Sequence, residues 1–185
     1  MHISYFNKLL AYTGKELRSL FIYHQFNLQG NALVAFSGPC KVTLADLVDQ
    51  EDVKRNAPIF SKLMLHFLGE FFGDDLEKTI LRQRLLMACI FESLMAKAPQ
   101  FSWVRDGDDI FMEKKKVSVS IATASPVSTL IHAGLNIETK GTPLPTFGLK
   151  EAKIEPAPLA ALVLERFKSE MSGVWLARCK VRGVD

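Results

Sequence analysis

The chain has 185 residues, 48% hydrophobic and 23% charged, with a formal net charge of +3. That length fits one domain and buries enough surface to fold without a staple. The weak net charge argues against a nucleic-acid partner, because such domains cluster Lys and Arg on one face. Three widely spaced cysteines, Cys40, Cys89 and Cys179, form no CxxC pair, which excludes a zinc ribbon and a thioredoxin motif and predicts reduced thiols in a cytoplasmic protein. The most apolar window, Ile80–Met95, carries Arg82, Arg84 and Glu92. It is too short and too charged to cross a membrane, and the N-terminal stretch lacks the apolar run of a signal peptide.

In chain order, HISYF and KLLAY read as short strands, and Lys15–Phe26 as a helix broken by Gly30. NALVAF (31–36) reads as a strand stopped by Gly38-Pro39, with an acidic loop after it. Ile59, Leu63, Phe67 and Phe71 recur at i/i+4, which predicts a helix over Pro58–Phe72. On it, His66 and Glu70 would share one face; HFLGE is not a metal motif, so His66 reads as a satisfied helix histidine. Asp74-Asp75 opens a longer central helix to about Ala98. Four strand-like stretches follow: FSWVR, DIFME, KVSVSIATA and STLIHAGLNIETK. A last helix is expected over Pro156–Met171, ended by Gly173, with WLARCKV closing the chain as a strand. Strands and helices cluster instead of alternating, which predicts an α+β fold: a largely antiparallel sheet with helices packed on it, as a single domain over 1–185.

Two strands carry the sharpest signal. Val117, Val119 and Ile121 alternate with Lys116, Ser118 and Ser120; Ile131, Ala133, Leu135 and Ile137 alternate with His132, Gly134 and Asn136. Paired as a hairpin through Ser125-Pro126, the two polar sets are expected on one face, opposite an aliphatic face packed on the central helix. Such a face is ordinarily solvated, yet Ser, Gly, His and Asn leave more room than the long charged residues usual there.

The stretch RDGDDIFMEKKKVSVSIATASPVSTLIHAGLNIETKGTP, with the earlier NALVAFSGPCKV, resembles a prokaryotic family called domain of unknown function 366, from about Glu16 to Lys150. That family is similar in fold to the catalytic domain of biotin protein ligases, lipoate ligases, octanoyltransferases and class II aminoacyl-tRNA synthetases. In the ligase and transferase core an Asn-Asp pair precedes a strand, a Lys starts the next, and a His-Gly-containing strand ends in Asn. Asp108-Asp109, Lys116 and His132-Ala133-Gly134-Leu135-Asn136 stand at these places. The resemblance implies Lys116 as the catalytic or substrate-binding lysine, with Asp109, His132 and Asn136 as supporting site residues; strand alternation adds Ser118, Ser120 and Gly134 to the substrate-binding face, Asp108 stands beside Asp109, and no metal ligand is expected. It implies a small-molecule ligase or acyl/cofactor transferase acting on a carboxylic acid, with ATP and magnesium where an adenylate forms. The alternatives are a non-catalytic protein that binds a carboxylate or nucleotide on the same fold, and a tRNA-related protein. A homodimer is left open. The Pro-Cys-Gly segment of octanoyltransferases is replaced here by GTPLPTFGL, so no cysteine nucleophile is expected at that position. The arginine- and glycine-rich phosphate segment of the ligases has only QGNALVAFSG as a distant counterpart.

Overall fold

The computed structural model describes residues 1–184. Eight strands and four helices follow in the order β1 (His2–Phe6), α1 (Phe21–Phe26), β2 (Ala32–Val42), α2 (Gln50–Lys54), β3 (Ile59–Phe71), α3 (Leu76–Lys97), β4 (Trp103–Asp106), β5 (Asp109–Met112), β6 (Lys115–Lys116), β7 (Ser118–Ala124), β8 (Thr129–Glu138) and α4 (Pro156–Cys179). The main sheet has the order β1-β2-β3-β8-β7, and β4-β5-β6 form a small second sheet. Among the strand pairings of the described residues only β1–β2 is parallel. The expected α+β arrangement is the observed one.

One sheet face is covered by α3 and α4. Leu33 and Ala35 of β2, Leu65 and Phe67 of β3, and Ile131, Ala133 and Leu135 of β8 pack there against Leu86, Ile90, Leu159 and Val163. The opposite face carries a second core of Ala32, Val34, Phe36, Met64 and Leu68, capped by Tyr12, Leu17 and Ile22 of the N-terminal segment. Where this cap ends, the sheet opens into a cleft. Asp75 starts α3 by accepting the Lys78 N–H at 2.7 Å, and Pro156 sits in the first turn of α4, where its missing donor costs nothing.

Several expected elements differ. Pro58–Phe72 is not a helix but β3, the middle strand, bonded to β2 on one side and β8 on the other. Both its faces are covered, so apolar residues occupy odd and even positions alike and imitate helical spacing. Pairing on two edges outweighs the weak helix preference of Leu, Met and Phe. β2 does not stop at Gly38-Pro39; it passes through an irregularity between Gly38 and Cys40 and ends at Val42. KLLAY forms no strand, only a bridge between Tyr12 and Cys40, and the expected helix over Lys15–Phe26 shrinks to Phe21–Phe26. WLARCKV is no strand either: α4 runs through Gly173 to Cys179, leaving Trp175 and Leu176 exposed.

Gly38 controls how the N-terminal segment lies on the sheet. A Cβ there would sit 1.8 Å from Leu10 O, far inside contact distance. The segment is laced to β2 by Leu10 N–H to Ser37 O at 3.0 Å, Tyr12 N–H to Pro39 O at 2.9 Å and Lys41 N–H to Tyr12 O at 2.9 Å. Gly38→Ala is therefore expected to push Leu10–Tyr12 off the sheet. Overpacking of this kind costs about 3 kcal/mol, or a Tm loss of roughly 6–12 °C for a chain of this size. Thermal unfolding of the variant, followed by tyrosine fluorescence, checks this.

Candidate functional site

The cleft, about 570 Å³, lies on the sheet face opposite the helices, at the open end of β7 and β8. Its floor is made by His132, Met64, Val119, Ile121 and Tyr12; its mouth is edged by Lys116 and Asp109 on one side and by Asp49, Asp52 and Arg55 on the other.

Lys116 is placed by its backbone. Its residue pairs with Phe111 of β5, its N–H donates to Pro145 O and its carbonyl accepts from Phe147 N–H, both at 3.0 Å. The ammonium donates to Asp109 Oδ2 at 2.9 Å, and both side chains are 30% exposed. The pair is half in water, so its own contribution to stability is small. Asp52 stands across the mouth, its carboxyl raised above the usual range first by burial and then by the Asp49 charge, with Lys116 acting against both.

The floor is a chain of aromatic and imidazole rings. His66 Nδ1 and His132 Nε2 lie 3.0 Å apart, and His66 Nε2 is 3.2 Å from Gly38 O. Tyr12 stacks on His132 with centroids 3.7 Å apart and planes within 7°. All three residues are at most 3% exposed. Burial pushes His66 down to about 4 and, with the neighbouring His66, pushes His132 well below the usual range. Both imidazoles are therefore neutral at physiological pH.

The polar residues expected on one face do not all share it. The β7–β8 pairing is antiparallel as expected, but Ser118 pairs with Leu135, Val119 with Gly134, Ser120 with Ala133 and Ile121 with His132. Paired residues point to the same side, so Val119 and Ile121 share the cleft face with His132 and Gly134. Ser118 and Ser120 turn their hydroxyls to the helix side, although both residues still line the cleft. Ser118 is fully buried, and its Oγ accepts the Ile110 N–H at 2.8 Å. Ser120 Oγ receives Gln83 Nε2 of α3 at 2.6 Å and donates to Asp108 O at 3.1 Å. The cause is Val117, which falls between β6 and β7, donates to Ile110 O at 2.8 Å and points into the helix-side core. There the alternation slips by one residue, leaving Lys116 and Val119 on the cleft side.

Asp108 lines the edge of the cleft, but its carboxylate is engaged on the α3 side. Arg84 reaches its Oδ1 at 3.0 Å, and Gln83 and Ser120 meet its Oδ2 at 3.2 and 3.3 Å. It fastens the β4–β5 turn to α3 and so positions Asp109. Asn136 lines the cleft and donates to Val117 O at 3.3 Å, holding the slipped segment. Gly134 lies beneath Met64: a Cβ there would come within 2.7 Å of Met64 Cε. Cys40 and Cys89 are buried, with thiols pushed up by burial to about 12 and about 11, and Cys179 is exposed on α4. None of the three lines the cleft.

Sequence reasoning missed Tyr12, Met64, His66, Asp49 and Asp52. His66 carried a signal, a lone histidine in an apolar run, obscured by assigning that run to a helix. Tyr12 carried none, because its segment is held by backbone bonds that side-chain patterns do not encode.

The sequence matches the family described as Domain of unknown function (DUF366) over residues 1–182. The chain belongs to this family. It is 38% identical over 146 residues to an uncharacterized protein of Methanocaldococcus jannaschii, a match covering 76% of this chain and 65% of that protein, so the chain spans less than two thirds of this relative's length. A protein of unknown function from Pyrococcus horikoshi has the same structure, with TM-score 0.93 and 34% identity over 100% of this chain and 99% of that one. Biotin protein ligase from Aquifex aeolicus, solved in complex with biotin and ATP, superimposes with TM-score 0.58 and 15% identity, covering 92% of this chain and 70% of the ligase. At that identity the likeness is one of fold, and the expected biotin/lipoate ligase-like fold is the one observed. No helix among the described residues is long and apolar enough to cross a membrane.

The buried histidines make stability depend on pH in one direction. Their folded-state pKa values lie below that of a free imidazole, about 6.5, so between about 6.5 and 4 the unfolded chain binds more protons than the folded one. Stability is complete above that window and is lost as pH falls through it, by up to about 1.4 kcal/mol per pH unit for each histidine. Urea unfolding at stepped pH is expected to show this slope. The His66→Gln/His132→Gln double variant should flatten it above pH 5, before ordinary carboxylates begin to contribute.

Proposed function

We propose that the cleft binds a small carboxylic acid and acts on its carboxyl group, as a small-molecule ligase or acyl/cofactor transferase does, with Lys116 as the group that meets the carboxylate. The observation that carries this reading is the placement of Lys116: a half-buried ammonium at the cleft mouth, fixed by two backbone bonds and one ion pair. Fixed positive charge, more so once a bound acid displaces water from the mouth, stabilises the negative charge that builds on carboxyl oxygens during acyl transfer, and the fixing means little rearrangement at the moment of reaction. Asp109 keeps the lysine answered while no ligand is present.

The residues fit a carboxylate better than a triphosphate. The cleft lining holds Lys116 and Arg55 against Asp46, Asp49, Glu51, Asp52, Asp108 and Asp109. Arg55 is itself exposed and paired with Glu51. QGNALVAFSG, the counterpart of the ligases' phosphate segment, supplies most of β2 and is buried from Ala32 to Phe36. Among the described residues no group of three or more His, Cys, Asp or Glu is placed to hold a metal ion. A second reading, a protein that holds the acid without transforming it, draws on the absence of any thiol from the cleft lining.

The test is a binding screen of biotin, lipoate and octanoate, each with and without magnesium-ATP, on the wild type, Lys116→Ala and the exposed control Lys114→Ala. Losing a hydrogen bond to a charged group costs about 1.5–3 kcal/mol, so Lys116→Ala should bind the acid roughly ten- to a hundredfold more weakly, with an unchanged Tm. Lys114→Ala should match the wild type. Equal affinity in all three proteins would remove the support for this reading; product formed from the bound acid separates the enzyme from the passive binder.

A further inference from the structure

We infer that His132 Nδ1 is a specificity element: the cleft selects acids whose far end carries a hydrogen-bond donor, a hydroxyl or an N–H, over acids with a plain hydrocarbon end. The inference rests on the carboxylate reading of Lys116 and adds the opposite end of the ligand.

The argument is one of proton placement. Gly38 O can only accept, so the His66 nitrogen beside it, Nε2, carries the proton. A neutral imidazole has one ring proton, so His66 Nδ1 is a bare lone pair and has to receive a bond. Its partner at 3.0 Å is His132 Nε2, which therefore carries the proton of the second ring. His132 Nδ1 is left as an acceptor. A backbone carbonyl thus fixes the tautomer of a cleft residue through an intervening ring.

The ring cannot turn to satisfy itself. Tyr12 lies flat against it at 3.7 Å, and Tyr12 is tied to β2 by bonds to Pro39 and Lys41. No group among the described residues bonds Nδ1, yet it is not one of the enclosed polar atoms without a partner, which are Ser37 Oγ and Arg166 Nε. His132 lines the cleft. Its free acceptor is reached from there, and a nearly buried acceptor gains most from a donor that enters with the ligand.

The two ends are spaced for one elongated molecule. His132 and Asn136 lie on the same face of β8, four residues apart, which is about 13 Å along a strand. Asn136 bonds Val117 O, next to Lys116. Between these ends the floor is Met64, Val119 and Ile121. The cleft reads acid, apolar middle, donor. A hydrocarbon end placed against His132 leaves the acceptor without a bond and excludes the water that would supply one.

Matched ligands test this: octanoate and ω-hydroxyoctanoate, titrated calorimetrically into the wild type, Lys116→Ala and His132→Phe. The hydroxy acid is expected to bind the wild type about tenfold more tightly, the worth of one well-made hydrogen bond. His132→Phe keeps the stacking surface and should erase that preference. Because this variant removes His66's partner, nitrogen NMR of the wild-type histidines is the second readout. His132 should show a protonated Nε2 and an unprotonated Nδ1, and Nδ1 should shift with ω-hydroxyoctanoate and not with octanoate. Equal wild-type affinity for the two acids, both weakened by Lys116→Ala, overturns this inference and leaves the carboxylate reading standing. Binding of neither acid, or binding indifferent to Lys116, overturns both.

Discussion

The site depends on one backbone event, the passage of the chain from the small sheet to the large one at Val117. Lys116 is clamped between β5 and residues 145–147, while Ser118 begins the strand that pairs with β8. Between them Val117 bonds Ile110 and Asn136 and drops its side chain into the helix-side core. One residue out of register inverts everything downstream, because strand side chains alternate sides. The slip sends two serines inward, where Ser118 and Ser120 find backbone and glutamine partners, and turns two aliphatic residues toward the cleft. A lysine at the mouth above an apolar middle follows from that single inversion.

This also marks how far the sequence was legible. β8 was readable although it too is buried on both faces, because its cleft face carries His132, Gly134 and Asn136, so Ile131, Ala133, Leu135 and Ile137 still alternate with polar or small residues. α3 was readable from its Asp75 cap and its length. β3 was not, because burial on both faces removes the alternation that distinguishes a strand. β7 was misfaced although its strand character was plain: alternation fixes relative facing within an unbroken strand and says nothing about a change of partner at Val117. The end of α4 was misread because Val174, Trp175 and Leu176 look like strand residues, and their exposure on a helix has no local signature. Family resemblance located Lys116, Asp109, His132 and Asn136 along the chain. It did not indicate that Asp108 and Ser120 turn toward α3, nor that Tyr12 and His66 lie against His132.

The histidine pair shows how burial and tautomer act together. Two imidazoles at hydrogen-bond distance in a nearly dry site cannot both be charged without strong mutual repulsion, and desolvation lowers each of them as well. Neutrality then makes the pair directional, because each ring has one donor and one acceptor and Gly38 O sets the order. The same burial rules out a strong base at His132: a group that holds a proton so weakly accepts hydrogen bonds and seldom takes the proton outright. In the proposed reading its part is recognition, and Lys116 is the charged group that meets the carboxylate.

Charge at the mouth sharpens that division of labour. Carboxylates outnumber cations around the cleft, and the Asp52 carboxyl is raised first by burial and then by the Asp49 charge, against the pull of Lys116. A single carboxylate can enter beside Lys116 because it exchanges with Asp109 for one ammonium, so the local charge changes by one unit. A triphosphate brings several negative charges to the same place, with β2 offering a buried strand where a phosphate loop would be needed. The fold is shared with enzymes solved with biotin and ATP, but fold alone carries no chemistry. The rim's excess of carboxylates is the observation on which the proposed preference for an acid over a nucleotide rests.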